Sequence, residues 1–385
     1  MSSSIAAAAF SSLASYLRFD RIRLRPVTVS SKTTWMLVEV TTICGMTGVG
    51  EATLFRFNVD YSARLPEIEQ RLKGKEFTLV LDASVQPPEE DIAGWALLSG
   101  IEHALWDILG KAHRKPVHQL LGTARRSNVP IYANINRRTT DRSPEGFAES
   151  VRAARQAGFK ALKIAPFGDL MPGSKSPNEV FEAGLQRIRA AHKAMDGDGS
   201  LMVDCHWRLS SSRSFVLLDL AHDLSIGWLE CPMPETSTNF DDLRRFREKS
   251  TSAGIPVAGA EQGTSAAYFD RIMDEGIYDI IMPDVKYVGG IVKLLAIGEA
   301  AARNGVAFAP HNPSGPVAHL ASLHAALVVD KLLCLEHQFD EDPLFWSLNQ
   351  LPMPQIVSEA SEAPSGEGLG FAFGENTKVR FRARV

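Results

Sequence analysis

The chain lacks the residues that would commit it to a disulfide, zinc or nucleic-acid scaffold. Its four cysteines (Cys44, Cys205, Cys231 and Cys334) form no C-x-x-C pair. That leaves no disulfide framework and no thiolate metal site, and it reads as a set of reduced thiols in a cytoplasmic protein. No apolar run is long enough to span a bilayer,. Neither sign of charge dominates: 41 Lys and Arg stand against 45 Asp and Glu, a formal net charge of -4 at pH 7. The basic footprint of a nucleic-acid binder is therefore missing. Internal repeats and low-complexity linkers are absent too. Residues 2–15 are rich in Ser and Ala, with Arg18, Arg21 and Arg23 only afterwards. A secretory signal would put its positive charge first, which leaves a plain tail or a transit peptide.

What is present is strand–helix alternation on a large scale. A chain of 385 residues, 45% of them hydrophobic, is too long for one ordinary core and suits a full barrel with a smaller domain. Residues 16–55 alternate like strands and residues 62–122 carry helical spacing, which together predict an α+β module over 1–128. From residue 129 the rhythm becomes strand, helix, strand. Strands are expected at 130–133, 161–164, 201–204, 226–230, 256–259, 279–282, 307–309 and 332–336. Helices such as 144–157, 178–194 and 290–304 lie between them. Eight such units predict an α/β fold with a (β/α)8 (TIM-like) barrel over 129–342. Residues 343–385 are richer in Pro and Gly and are expected to pack back on the first module.

The strand ends carry the chemistry. Each of these strands from the second to the eighth closes on an ionisable side chain: Lys163, Asp204, Glu230, Glu261, Asp284, His311 and Glu336. In a barrel the C-terminal strand ends converge on one mouth. Asp204, Glu230 and Glu261 end three consecutive strands, and three hard oxygen ligands facing one point suit one Mg²⁺ per subunit. A lone acid at such a junction is often a helix cap, whereas three in succession point to a metal. Asp284 and His311 sit on adjacent strand ends, where a carboxylate fixes the tautomer of an imidazole and makes a general base. His113, His118, His192, His222, His319 and His324 read as structural. His206 lies two residues beyond Asp204, so strand alternation puts it on the same side as a candidate acid, with Arg208 continuing the series. The series on strand two has Ala165 after Lys163, so His311 is left as the base and His206 as the acid. Phe167, Asp169 and Trp207 are expected as wall residues. Arg56 and Phe57, in the stretch 53–60, are expected to reach the mouth from the first module. The role of Lys286, structural or touching substrate, is open.

At these residues the chain resembles the enolase superfamily, and within it the mandelate racemase branch. The first module's Gly48-Val49-Gly50-Glu51-Ala52 resembles that family's G-x-G-E-A turn, and residues 99–112 resemble its long helix. Met282-Pro283-Asp284 with Gly289-Gly290, and the three acids, fall in the family's order. The resemblance implies a capping domain built from the N-terminal region and the C-terminal tail. It also implies that Mg²⁺ on Asp204, Glu230 and Glu261 binds the carboxylate of a small anionic substrate. A base then removes the α-proton to give a metal-stabilised enediolate, with Lys163 at the carboxylate and a protonated Glu336 helping to hold the oxyanion. The racemase has a second lysine where this chain has Ala165. The muconate-cycloisomerase branch has a lysine where this chain has Asp284. Asp204-Cys205-His206-Trp207-Arg208 and Pro310-His311-Asn312-Pro313 are similar to segments of acid-sugar dehydratases such as galactonate and mannonate dehydratases. This similarity implies that His206 protonates the leaving 3-hydroxyl and that the product is a 2-keto-3-deoxy acid. A racemase or epimerase of an α-hydroxy acid is the alternative, and self-assembly into a homo-oligomer follows from the resemblance alone.

Overall fold

The computed structural model describes residues 17–54, 61–75, 86–357 and 359–373. The first module opens with an antiparallel three-stranded sheet, β1 (Phe19–Thr28), β2 (Thr34–Thr42) and β3 (Thr47–Glu51). Behind it come α1 (Leu65–Leu72), the long α2 (Ile92–His113) and α3 (Val117–Leu121). Asp91 caps α2 by accepting the Gly94 amide, and residues 94–110 of that helix are all buried. The G-x-G spacing in β3 has a steric cause. A Cβ at Gly48 would meet the Ala104 carbonyl, and one at Gly50 the Gly100 carbonyl, so only glycine lets the strand lie this close to α2,.

The barrel follows. Its strands are β4 (Asn128–Asn134), β5 (Ala161–Ile164), β6 (Ser200–Asp204), β7 (Leu229–Glu230), β8 (Val257–Gly259), β9 (Ile280–Ile281), β10 (Ala307–Phe308) and β11 (Leu335–Gln338). Successive neighbours from β4 to β10 pair in parallel, and β11 pairs in parallel with β4. Two backbone hydrogen bonds close the remaining seam: the Leu333 amide donates to the Phe308 carbonyl (2.8 Å) and the Glu336 amide to the Pro310 carbonyl (3.3 Å). The interior below the mouth is filled by Tyr132, Met202, Trp228, Ala258, Ile280, Met282 and Ala309. The barrel is thus a packed core with a polar rim.

The intervening helices are α4 (Pro144–Gln156), α5 (Pro177–Ala194), α6 (Ser211–Asp223), α7 (Phe240–Ser252), α8 (Ala266–Asp274), α9 (Ile291–Asn304) and α10 (Pro316–Val328). Serine side chains start three of them: Ser143, Ser210 and Ser265 accept amides at the heads of α4, α6 and α8,. The helices α9 and α10 have no side-chain cap at their own N-cap residues. Their orphan amides go to acids of the first module. Glu102 accepts from Ile291 (2.9 Å) and Val292 (3.2 Å), and Glu51 accepts from Gly315 (2.8 Å) and Ala318 (2.9 Å),. The two modules are therefore joined just behind the strands that carry Asp284 and His311.

The C-terminal segment touches both modules. After α11 (Leu344–Ser347), the hairpin of β12 (Ile356–Val357) and β13 (Ala360–Glu362) adds antiparallel to β4. The N-terminal half of β4 extends past its parallel pairing with β11 and offers this hairpin a free edge. Further on, the Leu369 amide donates to Asp107 of α2 (2.8 Å) and the Arg25 guanidinium lies over the Phe373 ring. Among the described residues no helix is long and apolar enough to cross a membrane.

Candidate active site

The strand ends meet as expected. Asp204 closes β6, Glu230 closes β7 and Glu261 lies two residues past β8. Their ligand oxygens all fall within 4.8 Å of one another, and all three residues are buried. Local backbone strain aims them. His206, Trp207, Cys231 and Ala260, all beside these acids, have φ of 48°, 57°, 45° and 70°. Left-handed non-glycine backbone is costly and clusters at functional sites.

The cluster carries more negative charge than the fold neutralises. Lys163 donates to Glu230 Oε1 (2.6 Å) and pairs with Glu336 Oε1 (2.9 Å), while the Trp228 indole donates to Glu230 Oε2 (3.0 Å). Burial still pushes the Glu230 carboxyl up to about 8, with Lys163 opposing,. Burial and the neighbouring Asp204 and Glu230 hold Glu261 well above the usual carboxylate range. Burial alone would raise Asp204, but His206 beside it outweighs that and its carboxyl stays low. Glu261 Oε2 is buried and accepts no hydrogen bond; His311 Nε2 approaches to 3.4 Å without making one. An orphaned carboxylate oxygen among three buried acids, with no His or Cys in the group, fits a hard divalent cation.

The other half of the mouth is complete as folded. His311 Nδ1 lies 2.8 Å from Asp284 Oδ2. Lys286 donates to the same carboxylate from its amide (2.8 Å, Oδ1) and its ammonium (2.6 Å, Oδ2). Burial would raise Asp284, but Lys286 and His311 outweigh it and bring the carboxyl down to about 2. An ionised carboxylate only accepts, so Nδ1 carries a proton towards Asp284, and Nε2 is the nitrogen that faces Glu261,.

Glu336 joins the two halves. Its Oε1 accepts from Asn134 Nδ2 (2.6 Å) and its Oε2 from the Asn312 amide (2.8 Å). Burial would raise it, but Lys163, His311 and the Asn312 amide hold it below the ordinary range. Lys163 is fully buried, with the two carboxylates on one side and the Tyr132 ring 5.3 Å away.

Other expectations need correction. His206 reaches Asp204 Oδ2 (2.9 Å), though not by strand alternation, because β6 ends at Asp204 and the chain turns left-handed. Arg208 donates to the Leu170 carbonyl (2.9 Å) and so ties down the loop after β5. Phe167 turns inward, stacked on Phe181 at 5.5 Å, and is no wall residue. Asp169 is spent on Arg187 (2.8 Å). Lys286 is buried against Asp284 and Ser314. Trp207 lines a cavity of ≈ 620 Å³ together with Glu89, Glu90, Gln262, Thr264 and Tyr268, and neither the three acids nor His311 is among its lining residues. Arg56 and Phe57 lie outside the described residues. Asn134 is a site residue that sequence reasoning missed. It ends the first barrel strand, one residue beyond the end expected for it.

The fold and this site define an enzyme class that comparison with known proteins identifies. Residues 146–377 match the enolase C-terminal domain-like family, and residues 15–122 match the N-terminal domain of the mandelate racemase / muconate lactonizing enzyme family. The chain belongs to the mandelate racemase / muconate lactonizing enzyme family of the enolase superfamily. It is 27% identical over 287 residues to the D-gluconate dehydratase of Thermoproteus tenax, a match spanning 74% of this chain and 56% of that one. It is 29% identical over 307 residues to the D-galactonate dehydratase of Variovorax paradoxus, spanning 78% of each. The solved structure of a mandelate racemase/muconate lactonizing enzyme from Jannaschia superposes with a TM-score of 0.81 at 26% identity, covering 96% of this chain and 98% of that one.

Proposed function

We propose that this chain is a Mg²⁺-dependent dehydratase of an acid sugar, removing the C2 proton and eliminating the 3-hydroxyl to leave a 2-keto-3-deoxy acid. The observation that carries the reading is the meeting, at one mouth, of three under-neutralised acids, the Asp284–His311 pair and His206. Its relatives in Thermoproteus and Variovorax, named as gluconate and galactonate dehydratases, support the reaction class.

Asp204, Glu230 and Glu261 would hold the cation, which when bound supplies positive charge to the substrate carboxylate and to the enediolate character that develops next to it. Everything else falls to side chains. Lys163 has three donors and spends two on Glu230 and Glu336, so one remains for the carboxylate,. His311 Nε2, the nitrogen left as acceptor in the neutral ring because Nδ1–H is bonded to Asp284, takes the proton from C2,. The electron pair forms the C2=C3 bond as the C3–O bond breaks, and His206 delivers the proton that lets the hydroxyl leave as water. The enol then tautomerises to the ketone. One base and one acid suffice, in keeping with Ala165 following Lys163.

A mass-spectrometric screen of acid sugars with Mg²⁺ in D₂O tests this. Loss of water from one acid, absent in His311→Asn, is the expected result. Deuterium gain without water loss would replace the dehydratase with an epimerase.

A further inference from the structure

We propose that Lys286 is a positioning residue for the His311 base, acting through Asp284 and through the loop that carries the histidine. The inference rests on the base role proposed for His311. Lys286 is 1% exposed. Its ammonium bonds Asp284 Oδ2, the same oxygen that faces His311 Nδ1. It also bonds the Ser314 hydroxyl, three residues past His311. One side chain thus staples the loop after β9 to the loop after β10 at the two points that set the imidazole's tilt. The next residue in that second loop, Gly315, gives its amide to Glu51 (2.8 Å), whose other oxygen takes the Ala318 amide. The staple therefore has a fixed wall behind it. A lysine suits the place because Asp284 is fully buried. With no cation beside it, that carboxylate would be driven to draw a proton, and an imidazole with the wrong tautomer could not accept one at Nε2.

The test uses the Mg²⁺-loaded full chain. Two measurements on Lys286→Met, with Ser314→Ala as a milder variant, separate positioning from bulk stability. In protein with ¹⁵N-labelled histidine at fixed pH, the Nδ1 proton of His311 is identified by its loss in His311→Asn. It should shift or broaden by exchange in Lys286→Met, and to a smaller degree in Ser314→Ala, with Mg²⁺ affinity kept. In turnover, kcat should fall about tenfold or more with KM within about threefold, since only orientation of the base is lost. On an Asp284→Asn background, Lys286→Met should cost clearly less than it does alone, because the arm through Asp284 is already gone. An unchanged Nδ1 proton, or losses that multiply in the double variant, would overturn the proposal. Should Lys286→Met fail to fold, an unchanged proton in Ser314→Ala overturns it equally. If the wild type turns over no acid sugar, the proposed function fails by itself, and the proton measurement alone decides whether Lys286 orders the imidazole.

Discussion

The two halves of the barrel mouth are built on opposite electrostatic terms. On the β6–β8 side three buried acids face one another, with Lys163 also shared by Glu336, and one carboxylate oxygen has no partner. On the β9–β10 side Asp284, Lys286 and His311 balance charge and hydrogen bonds among themselves. The same burial that raises the Glu230 carboxyl to about 8 fails to raise Asp284, which sits at about 2. Burial is common to both halves; the difference is the partner. A half that the fold leaves short of positive charge is one to be completed from solution, and a balanced half is ready before anything binds.

The sharpest way to break this comparison is to remove the base alone. His311→Asn should lower turnover by roughly 10²- to 10⁴-fold, the usual worth of general base catalysis. Its Mg²⁺ affinity should stay within a fewfold of wild type, and an equal loss in both would mean that the halves are not separable. Glu261→Gln should do the reverse. Mg²⁺ affinity should drop by at least about tenfold, and the proton release that accompanies binding should shrink, because an amide has no proton to give up where Glu261 has one,. An unchanged proton release would show that Glu261 is not held protonated in the metal-free chain.

The pH dependence should separate the halves by sign. Glu230 is raised, so the stability linked to its protonated form is complete below the ordinary carboxylate range and is lost as pH rises through about 8,. Melting temperatures of metal-free protein should fall between pH about 5 and about 8, and the gain on adding Mg²⁺ should widen over that window. Asp284 is depressed, so its contribution is present above its ordinary value and disappears as pH falls towards about 2. That contribution is on the order of 2 kcal/mol. A melting series from pH about 5 downward, in which Asp284→Asn shows a flatter loss than wild type, would bear this out. The smallest effect belongs to Arg208→Ala, which loosens the loop after β5. It should cost about 1 kcal/mol or less in kcat/KM and leave Mg²⁺ affinity unchanged.

How much of this could be read in the sequence follows from which rule each residue obeys. The three acids, Lys163, Asp284, His311 and Glu336 sit at or beside the ends of short apolar strands. The topology alone brings such ends together, so periodicity was enough to place them. Asn134 escaped the same rule because its amide is not ionisable, although β4 ends on it. The eighth strand was expected to start at 332 and starts at Leu335, yet Glu336 still faces the site. Past the strand ends the rule fails. His206 and Trp207 leave β6 through left-handed backbone, which ends alternation and sends Arg208 to a carbonyl. Phe167 follows its loop inward to Phe181. Glu51 was legible as a family turn but not as a helix cap, since its partner Gly315 lies 264 residues away. Lys286 had no readable role because its partners lie on two different loops.

The central claim is that the β6–β8 acids are an unfinished site for a divalent cation. A calorimetric titration of Mg²⁺ into the metal-free chain, at one pH near 7 in two buffers of different ionisation enthalpy, tests it most directly. One ion bound per chain, with net proton release to the buffer as Glu230 and Glu261 ionise, is the predicted result,. No binding, or binding with no proton released, would contradict it.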